Sequence, residues 1–403
     1  MKKLAINGGN LSKTKPFPDW PRYDEREIEN VLEVFQSHAW WRVTGTKVIE
    51  FEKKFAEFQG VDYCLGVTNG THALELCLMA LEIGKGDEVI IPAMTFISTG
   101  LSILECNATP VLVDVDADTY CMTPESFEAA ITNKTKAVIP VHMAGHACDM
   151  AKICEIAKKH DIYVIEDAAH GHGGECDGKR IGSFGDAAIF SFQNGKLMTS
   201  GEGGALVTRH KKVYEKSYLI QDVGRPRNDK IYQHVVMGQN FRMSEFQAAI
   251  LLAQIQRVDE MNILREKNAK ILDGLFECVK GITPQKRNLH ATLQTHYMYM
   301  FAYDSDEFGG LDRLSFAEFL ESEGIPSSVC FPVLSDTEFF IENNFRGNIP
   351  FYDRSKEGDL TNARKVASSV IWLHHRTLEG DEVDLQEIVY AVLKIQKAFT
   401  NKG

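Results

Sequence analysis

Residues 161–196 read DIYVIEDAAHGHGGECDGKRIGSFGDAAIFSFQNGK, and two short apolar runs inside them decide the fold. The runs at 162–166 and 187–191 are too short for helices and are bounded by glycine and acidic residues, the pattern of strands buried on both faces. The first ends on Glu166 and Asp167, and the second leads through Phe192, Gln193, Asn194 and Gly195 to Lys196. In one parallel sheet, a carboxylate and a lysine then emerge at the same carboxyl edge, where ligands of α/β proteins collect.

Working outward, comparable runs occupy 63–67, 88–92, 110–114, 136–141 and 204–208, with amphipathic segments such as 72–81 and 149–160 between several of them. Strand–helix alternation over this length predicts an α/β protein with a large, mostly parallel, seven-stranded sheet covered on both faces. Ala248, Leu251, Leu252, Ile255, Val258, Met261 and Leu264 recur mostly at three- and four-residue steps, predicting one long helix over 244–272 that leads to a second region. The remainder reads as a smaller α/β domain, with a strand near 297–302 and helices near 315–323 and 383–399. We therefore expect a large domain over 1–260, opened by an N-terminal arm containing Pro16, Pro18, Trp20 and Pro21, and a small C-terminal domain over 261–403.

Composition narrows the function. Of 403 residues, 44% are hydrophobic and 25% charged, which is globular composition. A net charge of −12 disfavours a nucleic-acid partner. Nine cysteines are scattered without CxxC spacing, as in a reduced, cytoplasmic protein. The start MKKLAING has no apolar stretch of a secretory signal behind it, and the least charged stretch, 89–104, holds Pro92, Thr95, Ser98, Thr99 and Gly100. No membrane span is expected.

Three motifs fail. Asp114, Asp116, Asp118 and Glu125 have calcium-loop spacing, but Thr119 stands where the loop needs glycine. The segment His142-Met143-Ala144-Gly145-His146 lacks the glutamate of a zinc-protease helix, and no zinc-ligand spacing surrounds His170 and His172, so no metal is expected. Neither 171–174 nor 201–204 fits a dinucleotide-binding glycine pattern.

What remains is a constellation at strand ends. Thr68-Asn69-Gly70-Thr71 follows one strand and opens a helix, whose free amides suit a phosphate. Taken singly, that motif is a helix cap, Asp167 a turn residue and Lys196 a loop lysine. Together they suit pyridoxal 5′-phosphate: the lysine forms a Schiff base, and the acid keeps the pyridine nitrogen protonated.

These residues carry a resemblance to the DegT/DnrJ/EryC1/StrS family of pyridoxal-phosphate aminotransferases. It runs through Thr-Asn-Gly-Thr-His-Ala-Leu at 68–74, Pro-Ala-Met-Thr-Phe at 92–96, Glu-Asp-Ala-Ala-His at 166–170, Ser-Phe-x-x-x-Lys at 191–196, Gly-Glu-Gly-Gly at 201–204 and Gly-Gln-Asn-Phe-Arg-Met at 238–243. The resemblance implies the fold-type-I architecture and a homodimer. It implies that Lys196 is the Schiff-base lysine, Asp167 the partner of the ring nitrogen, and His170 the partner of the ring hydroxyl, where many relatives carry glutamine. It places Phe96 on the ring face, Gly70, Thr71 and Ser191 at the phosphate, and Asn240 as a phosphate ligand from the neighbouring subunit. Trp41, Arg42, His142, Arg225, Tyr297 and His374 are the expected substrate contacts.

The expected reaction moves an amino group from glutamate or glutamine to a keto sugar or ketocyclitol. Segments around Trp41, His142, Lys196 and Trp372 also resemble family members that dehydrate and aromatise an aminodehydroshikimate. A non-catalytic binding protein on the same fold is the third reading, disfavoured because a pure binder has no need of Lys196.

Overall fold

The computed structural model describes residues 3–227, 230–343, 352 and 357–400. Each apolar run of the N-terminal half becomes a strand: β1 (Tyr63–Val67), β2 (Glu88–Pro92), β3 (Thr109–Val113), β4 (Thr135–Val138) and β5 (Tyr163–Asp167). Two short strands follow, β6 (Glu175–Cys176) and β7 (Lys179–Arg180), then β8 (Ala187–Ser191) and β9 (Gly204–Thr208). The large sheet has the order β1-β9-β8-β5-β4-β2-β3. Neighbours from β8 to β3 pair in parallel, and β9 runs antiparallel to both β1 and β8. Helices cover both faces, which is why the strands are apolar along their length and do not alternate.

Two elements end earlier than the pattern predicts. Strand β4 stops at Val138, not at 141. Pro140 has no N–H to give the ladder, and its carbonyl accepts from Asp167 N–H at 2.9 Å. The helix expected over 244–272 is two helices, Glu245–Gln254 and Val258–Phe276. The break lies where the N-terminal helix Glu25–Ser37 docks. There Gln254 Nε2 donates to Arg22 O at 2.8 Å and to Glu27 at 2.7 Å, and Arg257 bonds Asp24 and Glu27.

The C-terminal part forms an antiparallel sheet, β10-β12-β14-β13, from β10 (Ile282–Pro284), β12 (Met298–Tyr303), β13 (Ser327–Val329) and β14 (Val370–His374). β11 (Ala291–Leu293) instead pairs with β6. A separate core beneath this sheet is built from Phe276, Phe301, Phe316, Ile371, Leu385 and Ile395. Leu4 and Phe17 belong to that second core, and Lys13 Nζ is 2.6 Å from Asp384. The first residues, expected within 1–260, pack with the C-terminal sheet, where their apolar side chains and Lys13 find partners.

Candidate functional site

A cavity of about 560 Å³ opens at the carboxyl edge of the large sheet, beside the start of the helix Gly70–Ala80. Asn69 caps this helix, its side chain accepting from His72 N–H at 2.8 Å. One cap satisfies one amide, and the other first-turn N–H groups stay aimed out of the helix. Gly70 is there because β8 comes so close: a Cβ on it would lie 2.9 Å from Ser191 Cβ. Thr71 Oγ1 donates to Ser98 Oγ at 2.8 Å, so three hydroxyls surround the helix start.

Asp167 ends β5 with its side chain 6% exposed. One carboxylate oxygen accepts from Thr99 Oγ1 at 3.0 Å, and the other from Ala169 N–H at 3.2 Å. Burial raises its pKa, against those hydrogen bonds and the nearby Lys196. Lys196 reaches the same cavity from the loop after β8. That loop is pinned by Gln193, which takes Gly195 N–H at 2.8 Å, and by Trp20 Nε1, which donates to Asn194 O at 2.7 Å. Burial lowers the Lys196 pKa to about 8, with Asp167 opposing the shift. Its Nζ lies 4.3 Å from the centre of the Tyr297 ring.

His170 stacks on Tyr297 with centroids 4.2 Å apart, and burial holds its pKa well below the usual histidine range. Phe96, half exposed at the mouth, meets Phe331 at 5.7 Å between centroids. The cavity thus offers phosphate donors at one end, an acid and a neutral imidazole along the middle, aromatic walls, and a lysine of lowered pKa. That donor set fits pyridoxal 5′-phosphate: the glycine cradle at 70 leaves room for an anion, and a buried lysine with a reactive free amine matches an aldehyde partner.

Gly70, Thr71, Phe96, Asp167, His170, Ser191, Lys196 and Tyr297 all line this one cavity. Six other expected residues lie elsewhere. His142 is fully buried behind β5, bonded to Glu166 at 3.1 Å, and does not line the cavity. Arg42 is buried against Glu52, which occupies its guanidinium. Trp41, Arg42 and Arg225 line a second cavity of about 550 Å³. His374 is turned toward its own segment, its ring nitrogen accepting from Arg376 N–H at 3.3 Å. Asn240, a bridge partner of Asp222, is exposed and does not line the cavity.

Thr99, Ser98 and Phe331 were not legible as site residues. The signal for the first two was present: hydroxyls at 95, 98 and 99 interrupt an otherwise apolar stretch. Phe331 follows β13 and had none. Among the described residues, no group of three or more His, Cys, Asp or Glu side chains is placed to hold a metal ion, and no helix is long and apolar enough to cross a membrane.

Residues 21–393 match the DegT/DnrJ/EryC1/StrS aminotransferase family. The chain is similar to 3-amino-5-hydroxybenzoate synthase of Amycolatopsis mediterranei, 39% identical over 93% of this chain and 96% of that protein. It is also similar to the L-glutamine:2-deoxy-scyllo-inosose aminotransferase of Streptoalloteichus tenebrarius, 34% identical over 97% of each. A crystal structure of 3-amino-5-hydroxybenzoic acid synthase superimposes with a TM-score of 0.89 at 38% identity, covering 95% of this chain and 99% of that one.

Proposed function

We propose, from the premise that this chain belongs to the DegT/DnrJ/EryC1/StrS aminotransferase family, that it moves an amino group from glutamine or glutamate to a keto sugar or ketocyclitol. The enzyme is pyridoxal-phosphate-dependent. The observation that carries the reading is the convergence of Lys196, Asp167 and an open helix start on one cavity, in a chain matched to amino-transferring relatives along almost its whole length.

When bound, the cofactor supplies an aldehyde to carry the amino group and a ring that takes up electrons from the reacting carbon. Everything else falls to the chain. The amides of Gly70 and Thr71, with the Thr71 and Ser191 hydroxyls, would hold the phosphate. Asp167 would keep a proton on the ring nitrogen, its carboxylate aimed by Thr99 and Ala169. His170 would donate to the ring hydroxyl, and Phe96 would cover one ring face. Lys196, whose amine is half deprotonated near pH 8, is the base that would take a proton from the substrate carbon and return it.

The second reading is dehydration and aromatisation of an aminodehydroshikimate, favoured by the 39% identity to a 3-amino-5-hydroxybenzoate synthase. It uses the same lysine but needs no amino donor. We further propose a homodimer in which Asn240 reaches the site from a second copy, since it does not line its own chain's cavity. All nine cysteines are free, which supports a reducing, cytoplasmic setting.

Spectroscopy of the half-reaction separates the readings. Glutamine or glutamate should convert the bound cofactor to its pyridoxamine form, and a keto cyclitol should reverse it. If no amino acid does so while an aminodehydroshikimate is aromatised, the second reading replaces the first.

A further inference from the structure

The segment 142–146, which fits no metal pattern, is a tight turn packed against the site. Met143–Gly145 makes one 3-10 turn in which Ala144 (φ 55°) and Gly145 (φ 86°) are both left-handed. A Cβ on Gly145 would lie 1.9 Å from Thr295 Oγ1 and 2.8 Å from His170 O, so only glycine lets the turn come this near. Ala144 N–H donates to His170 Nδ1 at 3.3 Å, and Ala144 O accepts from Tyr297 N–H at 2.9 Å. One residue therefore bonds the His170 ring and the main chain of Tyr297, the two residues whose rings stack in the cavity wall.

The consequence is a tautomer. A neutral imidazole has one N–H, and a nitrogen that accepts cannot carry it. With Nδ1 accepting from Ala144, the His170 proton sits on Nε2, which has no partner among the described residues. A glutamine at this place would need no such device, because its amide donor is fixed by its own chemistry.

A second imidazole holds the turn. His142 Nδ1 accepts from Cys148 N–H at 3.2 Å, so its proton is also on Nε2, which faces Glu166 Oε2 at 3.1 Å. Glu166, fully buried, accepts three further N–H groups, from Gly182 at 2.8 Å, Phe184 at 2.7 Å and Gly185 at 2.8 Å. His142 N–H donates to Asp167 O at 3.2 Å. Neighbouring residues of a strand point to opposite faces, so Glu166 anchors the turn behind the sheet while Asp167 faces the cavity.

We infer that His142 and Glu166 form a positioning pair which, through Ala144, locks His170 as an Nε2–H donor and holds Asp167 in register at the cavity. The role assigned to that donor rests on the cofactor reading above, but the tautomer does not.

The test begins on apo-protein labelled with ¹⁵N-histidine at pH 7.5, with signals assigned by His170→Gln and His142→Gln. Wild type should show both His142 and His170 protonated on Nε2 alone. His142→Phe, which removes both ring hydrogen bonds, should mix the His170 tautomers and weaken pyridoxal-phosphate binding roughly tenfold or more. It should also shift the pH midpoint of the holoenzyme's visible absorbance. His142→Gln, which keeps a donor for Glu166, should recover most of this. A wild-type His170 protonated on Nδ1 would overturn the inference, and so would a folded His142→Phe with unchanged His170 signals and absorbance midpoint. Should His142→Phe not fold, the wild-type spectrum alone decides. Wild type that shows the expected tautomer yet takes up no pyridoxal phosphate would defeat the cofactor reading while supporting the inference.

Discussion

Two cavities of nearly equal size, about 560 and 550 Å³, organise their charges in opposite ways. In the first, Asp167 ends β5 and Lys196 stands just beyond β8 in a loop pinned by Gln193 and Trp20, so the main chain places both. In the second, charges pair with each other or with aromatic rings: Arg42 is held by Glu52, Arg225 and Arg242 each lie 2.7 Å from the same oxygen of Asp222, and Arg227 lies over the Tyr218 ring. A strand end turns sequence order into position, because register fixes each Cα. Lys196 keeps that address because hydrogen bonds pin its loop next to β8, whereas Arg42 and Arg225 are held by the acids that they pair with. The first cavity is therefore set up for chemistry by its backbone, and the second is held together by its own ion pairs.

The largest effect that would sharpen this contrast comes from Lys196→Ala. Turnover should fall by on the order of 10⁴-fold or more, since no other group supplies the amine. The circular dichroism spectrum should stay that of the wild type. Asp167→Asn should bind cofactor and lose about 10²–10⁴-fold in turnover, measured at saturating substrate, because a neutral amide cannot hold the ring-nitrogen proton.

Arg42→Met probes the other cavity. It leaves Glu52 buried with Gly66 N–H, at 2.7 Å, as its one remaining hydrogen-bond partner among the described residues. The loss should be about 3–5 kcal/mol of stability by denaturant titration. Cofactor affinity should hardly change. A normal denaturation midpoint combined with lost cofactor binding would break the comparison.

Gly70→Ala is smaller. Its Cβ, 2.9 Å from Ser191 Cβ, should cost about 1–3 kcal/mol through overpacking, read as weaker cofactor binding in fluorescence titration. The smallest effect is one of pH. Burial lowers the Lys196 pKa to about 8, so the free amine grows as pH rises through that value. Cofactor capture by apo-protein should accelerate with a midpoint near 8, whereas an exposed lysine would keep accelerating toward about pH 10. The same sign holds for stability: between about 8 and the ordinary lysine value the unfolded chain binds the extra proton, so folding strengthens with pH.

Much of the fold was legible because buried parallel strands are short apolar runs with punctuated ends, and 63–67, 88–92 and 187–191 coincide with β1, β2 and β8. That Lys196 and Asp167 come to one cavity was legible from the same strands. The place of His142 was not legible, since nothing in its neighbours says that Glu166 will hold it behind the sheet. The break between Gln254 and Val258 was invisible because its cause, Asp24 and Glu27, lies some 230 residues earlier in the chain. Thr99 hid inside an apolar helix, and its hydroxyl matters only once β5 brings Asp167 beside it. Local pattern predicts what the backbone places; partners contributed from far along the chain must be seen in three dimensions.

The central claim is that one lysine, in the loop after β8, joins the cofactor to the protein. Borohydride reduction of the pyridoxal-phosphate-loaded enzyme, followed by peptide mass mapping, tests it directly. The phosphopyridoxyl group should appear on the peptide containing Lys196, in an amount matching the bound cofactor. Label on any other lysine, or a loaded enzyme that takes no label, would contradict the account.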